Sequence, residues 1–383
     1  MKVILGLSGG VDSSVAAIKL LEQGYEVEAV FMRNWDSAAN QDVYGNPTVN
    51  DDMCAQEVDY QDALKVANQI GIKLHKVDFT QEYWNQVFQY FLGEYNRGRT
   101  PNPDILCNTE IKFKAFLDYA KGLKADYIAM GHYAKTEVVD GKVLLKRAHD
   151  DNKDQTYFLS QLTEAQIERA LFPLGDIDKP EVREIAKRHN LATAVKKDST
   201  GICFIGERQF NQFLSNYIYK KPGKMTKLDG TFIKAHDGLM NYTIGQRKGL
   251  GIGGLKDYDL EPWFVVGKDV SNNILYVEQG FHHPYLYSNR CIVKDVVWRY
   301  DKALEGRTFS AKFRYRQKDT DVFLKWLDET TLEVSYPTTV RAVTPGQACA
   351  IYEDDVCVAG GFIDTVYMNE ERRHYWCEKR GCS

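Results

Sequence analysis

The chain has 383 residues and 43.9 kDa, with 44% hydrophobic and 27% charged residues and a formal net charge of -4. That balance excludes a disordered or low-complexity protein, argues against a uniformly basic coat for DNA, and at this length predicts two or three domains. No apolar run approaches a bilayer span and the amino terminus carries no signal-like segment, so we expect a cytoplasmic protein with no membrane partner. Eight cysteines without a CxxC pair are too sparse for a disulfide scaffold and predict mostly buried thiols.

The apolar run from Met1 to Leu5 reads as a strand, and the alanine-rich pattern from Val15 to Leu21 reads as a helix. Between them lie Gly6, Leu7, Ser8, Gly9, Gly10, Val11, Asp12, Ser13 and Ser14. Small residues let backbone N–H groups converge on an anion, and the helix N-terminus adds its unpaired donors and positive dipole end. The GxxxxGK[ST] spacing and its lysine are missing, so the usual cradle for a transferred γ-phosphate is absent. The SGGxDS pattern instead resembles the pyrophosphate loop of ATP pyrophosphatases, which implies ATP cleaved between its α and β phosphates. Asp12 fits either an N-cap or a Mg2+ ligand, and the three serine hydroxyls fit either phosphate donors or helix caps.

Val27 to Met32 is strand-like, Met53 to Ile70 helical and Lys73 to Asp78 extended, an α/β succession with a parallel sheet. Ligands bind at the carboxyl ends of such strands, which puts Met32 within reach of adenine; the plainer reading is a flexible core filler. Tyr83 to Asn96 reads as an amphipathic helix, and Arg97 to Asp104 is too rich in turn formers for regular structure. Asn102, Pro103 and Asp104 then lead to Cys107, with a helix predicted beyond. An irregular loop held open by prolines beside a helix N-terminus favours a thiolate, although an isolated cysteine is more often a small buried hydrophobe. Cys203 sits between a glycine turn and an apolar segment, near Lys196 and Lys197, which either favour its thiolate or stay solvated.

Taken together these motifs closely resemble the bacterial tRNA 2-thiouridylases, over nearly the whole chain. The resemblance implies an adenine-nucleotide α-hydrolase-like α/β domain, a small central domain and an antiparallel β-barrel. It makes Gly6–Ser14 the ATP loop, aligns Gly131-His132-Tyr133-Ala134 with a nucleotide-side loop, and sets Lys153, Asp154 and Gln155 beside the substrate entrance. Asn102, Pro103, Asp104 and Cys107 would approach the target uridine, Cys203 would carry a persulfide, and a Cys107–Cys203 disulfide would form transiently. The implied reaction is ATP-dependent 2-thiolation of the wobble uridine, U34, in glutamate, glutamine and lysine tRNAs, with Mg2+ and a cysteine desulfurase or sulfur-relay protein. Two rival readings stay open: an adenylating amide synthetase, and an ATP-regulated RNA-binding protein without catalysis.

Glu164 to Arg169 and Lys179 to His189 suggest helices closing the first domain, with a turn at Phe172–Gly175. We expect domain boundaries at 1–206, 207–285 and 286–383. The middle unit includes Phe210 to Tyr219 and the cationic turn Tyr242–Gly249. Lys196 to Lys227 holds seven basic and two acidic residues, and Ile292 to Trp326 nine and five, so both segments can face an RNA backbone or simply be solvated. Alternation in Cys291–Trp298, Thr308–Arg316, Asp321–Leu327 and Gln347–Val358 predicts a closed antiparallel barrel. On it, Arg314, Tyr315 and Arg316 can present guanidinium groups and an aromatic face to RNA, or pack on the sheet. Gln347, in Thr344-Pro-Gly-Gln347, resembles a further tRNA-contacting position of the family.

Overall fold

The structure is a computed structural model and describes residues 1–37, 39–40, 43–44, 46, 55–197, 210–253 and 259–373, with the backbone of 375–376. The first unit runs β1 (Lys2–Gly6), α1 (Val11–Glu22), β2 (Glu26–Arg33), α2 (Ala55–Ile70) and β3 (Lys73–Asp78). A helical run comes next, α3 (Thr80–Tyr83), a π-wound turn (Trp84–Phe88) and α4 (Gln89–Asn96). A second runs from α5 (Pro103–Leu106) through a π-wound stretch (Cys107–Ala115) into α6 (Phe116–Gly122). Then come β4 (Tyr127–Ala129), the hairpin β5 (Lys135–Val139) and β6 (Lys142–Lys146), α7 (Thr156–Leu159), α8 (Glu164–Ile167), β7 (Ala170–Leu171) and α9 (Lys179–Arg188).

Strands β1 to β4 and β7 form a parallel sheet in the order β3-β2-β1-β4-β7. Val3, Ile4 and Leu5 are fully buried, as expected of a central parallel strand covered on both faces. Strand order reverses between β1 and β4, and the crevice at such a switch point is where open α/β sheets bind ligands. Two expectations shift here. Ala170–Leu171 adds a fifth strand between the expected Glu164–Arg169 helix and the Phe172–Gly175 turn, and Pro103–Leu106 is helical instead of an open loop. Asn102 caps that helix by accepting from the Asp104 N–H at 3.1 Å, and Pro103 stands in its first turn, where a missing N–H costs nothing.

The central unit contains α10 (Phe210–Leu214), β8 (Gly223–Thr226), β9 (Phe232–His236), β10 (Trp263–Asp269) and β11 (Ile274–Gln279). Its sheet is mixed, and the backbone of a late strand, Tyr375–Trp376, pairs in parallel with β10. The chain therefore returns to the central sheet after completing its last unit. That last unit comprises β12 (Tyr287–Trp298), β13 (Phe309–Lys312), β14 (Thr320–Trp326), β15 (Leu332–Arg341), β16 (Ala348–Glu353) and β17 (Val356–Met368). Neighbours pair antiparallel in the order β12-β15-β14-β13-β16-β17, and β17 pairs back to β12, so the barrel is closed. The single run read at Gln347–Val358 is two strands joined at Asp354–Asp355, and β15 was not foreseen.

The barrel is keyed to the first unit by backbone. Arg299 is 1% exposed and donates to the carbonyls of Ser160 and Leu162, both at 2.7 Å. The Gln161 amide donates to the carbonyls of Asp295 and Gly360 at 2.9 and 3.1 Å. A Cβ at Gly360 would stand 2.4 Å from Ser160 Oγ, so only glycine permits this approach.

Candidate active site

The Gly6–Ser14 loop leaves β1 at the switch point and turns into α1. Gly9 adopts φ +76°, and a Cβ there would lie 2.1 Å from the Asp59 carbonyl oxygen of α2. Not every loop residue faces outward. Leu7 and Val11 are buried and the Leu7 N–H is taken by the Val30 carbonyl at 2.9 Å. Ser14 is fully buried, donating to the Gly10 carbonyl at 2.8 Å and accepting from Thr193 Oγ1 at 3.1 Å, so its hydroxyl is a helix clamp. Ser8 is exposed and lies 3.2 Å from Ser13 Oγ, leaving Ser8 and the half-buried Gly10 at the surface of the loop.

The loop after β4 packs directly onto this turn. A Cβ at Gly131 would meet the Ser13 nitrogen at 2.8 Å, which explains a glycine there. Met32 Cε and Met130 Sδ both lie against Gly6, 3.0 and 2.7 Å from where its Cβ would stand. Met32 is half-buried, available to one face of a ligand while its stem packs.

Asp12 is the electrostatic centre. Its Oδ1 accepts from Tyr133 OH at 2.8 Å and from Lys179 Nζ at 2.6 Å, with the two side chains 34% and 11% exposed for Asp12 and Lys179. Asp178 caps α9 by accepting from the Glu181 N–H at 2.8 Å, with Pro180 in the first turn, and this fixes Lys179 at the helix start. The lysine absent from the loop sequence is thus delivered from 167 residues away. Sequence reading missed it because Lys179 reads as an ordinary helix-start residue. Oδ1 of Asp12 thus accepts from a cation and a hydroxyl, and among the described residues no three His, Cys, Asp or Glu groups converge as a metal cage.

Lys196 also closes on the loop. Its Nζ donates to the Gly9 carbonyl at 3.0 Å, Asp59 at 2.7 Å and Asp62 at 2.8 Å. Burial opposes its charge, but the bonds it donates to Asp59 and Asp62 outweigh that and hold the ammonium above its ordinary range. In the described residues its charge is engaged by α2 and the loop. Cys203 itself lies outside the described residues.

Cys107 is 2% exposed at the point where α5 passes into the π-wound stretch, a form of winding that recurs at functional sites. Asn108 beside it donates to the Phe158 carbonyl at 3.0 Å. Phe113, further along the same stretch, lies 5.9 Å from the His132 ring. Burial keeps His132 well below its usual range, with nearby Lys112 adding to the effect, so the imidazole is neutral. Gln155 brackets the same loop, accepting from the Tyr133 N–H at 2.9 Å while its own N–H donates to the Tyr133 carbonyl at 2.8 Å. Asp154 is 4% exposed and organises its own turn, accepting from the Ala148 N–H and from Thr156 Oγ1 at 3.1 and 2.7 Å. Lys153 is half-buried at the edge of that turn.

From the barrel, Tyr315 stacks obliquely on Phe158 with centroids 4.4 Å apart, and Arg316 covers the Tyr315 ring at 5.4 Å. Arg314 Nη2 donates to the Ile244 carbonyl at 3.0 Å and Thr344 Oγ1 at 2.6 Å, binding barrel to central unit. Gln347 donates to the Thr100 carbonyl at 2.6 Å, just ahead of Asn102. The nucleotide loop, the His132 loop, the Cys107 helix and the Gln155 turn are therefore one contiguous constellation, with Tyr315 and Gln347 at its barrel side.

Compared with known proteins, residues 1–207 match the tRNA methyl transferase HUP domain, 211–279 the tRNA methyl transferase PRC-barrel domain and 288–363 the aminomethyltransferase beta-barrel domain. The whole chain is 65% identical over 374 residues to the tRNA-specific 2-thiouridylase MnmA of Acholeplasma laidlawii, covering 98% of this chain and 99% of that protein. The chain belongs to the tRNA-specific 2-thiouridylase family. The 2-thiouridylases of Onion yellows phytoplasma and Listeria monocytogenes are 57% and 55% identical, each over 98% of this chain and 99% and 98% of their own length. The domain names speak of methyl transfer, whereas these relatives are 2-thiouridylases from end to end, and the end-to-end match fixes the family. Three sheets, parallel, mixed and barrel-closed, give this 2-thiouridylase family member the architecture that the domain matches describe. No described helix is long and apolar enough to cross a membrane.

Proposed function

We propose that this chain is an ATP-dependent tRNA sulfurtransferase that replaces the C2 oxygen of the wobble uridine, U34, with sulfur. The observation that carries the reading is the end-to-end 65% identity to a tRNA-specific 2-thiouridylase, in a chain whose phosphate-type loop sits at the switch point of a parallel sheet. ATP, as substrate, supplies the adenylyl group that makes the C2 oxygen a leaving group. The chain's residues do the rest. Ser8, Gly9 and Gly10 receive the phosphates, Lys179 brings the cation the loop lacks, and Asp12 holds that cation in place. Gly131 lets the neighbouring loop close on α1, and Met32 offers an adenine contact. Mg2+ would accompany ATP, with Asp12 the residue of this loop to hold it.

Sulfur arrives as a persulfide on Cys203, loaded by a cysteine desulfurase or relay protein. Cys107 thiolate either attacks the Cys203 Sγ and releases sulfide, which adds at C2 and expels AMP, or resolves the intermediate after the persulfide itself attacks C2. Both routes leave a Cys107–Cys203 disulfide, which two electrons from a thiol reductant reset. Asn102, Pro103 and Asp104 approach the base, and the His132 imidazole is neutral. Lys153, Asp154 and Gln155 shape the entrance, and Arg314, Tyr315, Arg316 and Gln347 meet the RNA from the barrel. Glutamate, glutamine and lysine tRNAs are the substrates, and the reaction runs in the cytoplasm. Functionally the chain divides at 1–206, 207–285 and 286–383.

The test is to incubate the full chain with Mg-ATP, such a tRNA and a sulfur-loaded desulfurase, then measure 2-thiouridine by mass spectrometry of digested RNA. Product at U34 that requires ATP and disappears in Cys203→Ala, with tRNA binding kept, is expected. Turnover by Cys203→Ala with the same donor rejects the persulfide role, and intact RNA with an active donor rejects thiolation.

A further inference from the structure

The turn between α4 and α5 is gripped from three sides. Lys268 of the central β10 is fully buried and donates to the Gly98 carbonyl at 2.7 Å, just beyond the C-terminal end of α4. Gly98 has φ +75°, and a Cβ there would lie 2.7 Å from Val270 of the central unit. Arg99 Nη2 donates to Asp364 of the barrel strand β17 at 2.7 Å, both side chains being 11% exposed, while Glu94 lies 3.6 Å away on the other side. Lys294 of β12 braces Asp364 at 3.2 Å. The Thr100 N–H donates to the Pro345 carbonyl at 3.3 Å, its carbonyl accepts from Gln347 at 2.6 Å, and its hydroxyl lies 3.2 Å from that of Thr243 in the central unit.

Each of residues 98–100 is therefore bonded to a domain other than its own. The stretch from residue 101 to the Cys107 turn is stiff. Pro101 and Pro103 fix their backbone angles, Asn102 caps α5, and α5 runs without a break into the turn that begins at Cys107. A shift of the barrel or the central unit against the parallel sheet is passed to the start of this strut.

We propose that Arg99 and Asp364 are positioning residues that make the burial of Cys107 depend on how the barrel is docked: with the ion pair closed the thiol is covered, and releasing the pair lets the Cys107 turn open. A macromolecule spanning the barrel and the first unit thereby gates the thiol. The part that concerns turnover rests on the thiolation reading; the part that concerns exposure of Cys107 does not.

The experiment uses the full chain and its own internal standards. Cys291 and Cys349 are buried like Cys107 but lie in the barrel's own core, whereas Cys357 faces the first unit, its Sγ 3.9 Å from the Thr156 carbonyl. Wild type, Asp364→Asn, Asp364→Glu and Gln347→Leu are exposed to N-ethylmaleimide, and each cysteine's labelling rate is read by peptide mass spectrometry. Asp364→Asn is expected to speed labelling of Cys107 about tenfold while Cys291 and Cys349 stay protected, as local opening predicts, with Asp364→Glu restoring protection. Gln347→Leu, which removes the other barrel contact, is expected to move Cys107 in the same direction. Unchanged Cys107 labelling in both Asp364→Asn and Gln347→Leu overturns the proposal. So does a parallel rise of Cys107, Cys291 and Cys349, which marks general loosening. In turnover, Asp364→Asn is expected to lower kcat by about tenfold or more with KM for tRNA nearly unchanged, as a displaced nucleophile does. Failure of wild type to thiolate tRNA strikes the functional reading alone, since the labelling pattern stands without it.

Discussion

Neutralising Lys179 and Asp12, singly and together, separates two roles for the carboxylate at the heart of the site. Lys179 is 11% exposed, so its ammonium is poorly screened and is held 2.6 Å from Asp12. A charge-assisted contact to a phosphate is worth about 1.5–3 kcal/mol, so Lys179→Met should weaken ATP binding by roughly ten- to hundredfold. Asp12→Asn removes the anion that competes for the lysine. It should leave affinity for metal-free ATP equal or slightly higher, while Tyr133 OH, 2.8 Å from Oδ1, keeps the side chain in place. The double variant should then resemble Lys179→Met, a strongly non-additive cycle. Isothermal calorimetry with ATP, in EDTA and again with Mg2+, reads all four proteins. If Lys179→Met binds ATP within about twofold of wild type, the cation assigned here does not reach the phosphates. If Asp12→Asn loses affinity only when Mg2+ is present, the carboxylate serves the metal and the lysine is secondary.

Backbone and charge lead to two more expected outcomes. Gly9→Ala forces φ +76° on a residue with a Cβ, costing about 1–2 kcal/mol, and places that Cβ 2.1 Å from the Asp59 carbonyl, so the loop must move. ATP affinity should fall at least about tenfold while the circular dichroism spectrum is kept, and unaltered binding by calorimetry would count against the loop as the phosphate site. Glu28 is held below the ordinary carboxylate range by hydrogen bonds from Lys2 and His75. A depressed folded-state value means its stabilisation is present above the unfolded value and fades as pH falls, so the thermal midpoint should drop between about pH 5 and pH 3, and less steeply in Glu28→Gln. Parallel acid profiles for the two proteins would remove Glu28 from the account.

The parallel core was legible because β1 and β2 are apolar runs bounded by turn residues, and the loop after β1 because glycine and serine spacing states a local requirement. The barrel was legible as alternation, but its strand count was not, since β16 and β17 are joined by only Asp354 and Asp355 and read as one run. The site was legible where a motif is local and obscure where it is assembled. Lys179 is tied to Asp12 across 167 residues, and Gln347 to Thr100 across 247, with no periodicity to announce either pairing. Cys107 was placed correctly in the chain and wrongly in its surroundings, because the prolines that suggested an open loop instead begin a helix. Lys196 shows the same limit, since its proximity to Cys203 in sequence gave no hint of Asp59 and Asp62.

The Arg299 and Gln161 contacts set a clock on synthesis. Gln161 awaits Gly360, 199 residues further along the chain. A polypeptide grows at about 5–20 residues per second, so the edge of the first unit waits roughly 10–40 seconds for the backbone that will cover it. During that interval the carbonyls of Ser160 and Leu162 have water where Arg299 will later stand, and the newborn first unit carries an unfinished seam. A chain interrupted before the barrel is complete would keep that seam permanently, which makes this edge a natural place for a chaperone or a protease to distinguish finished molecules from fragments.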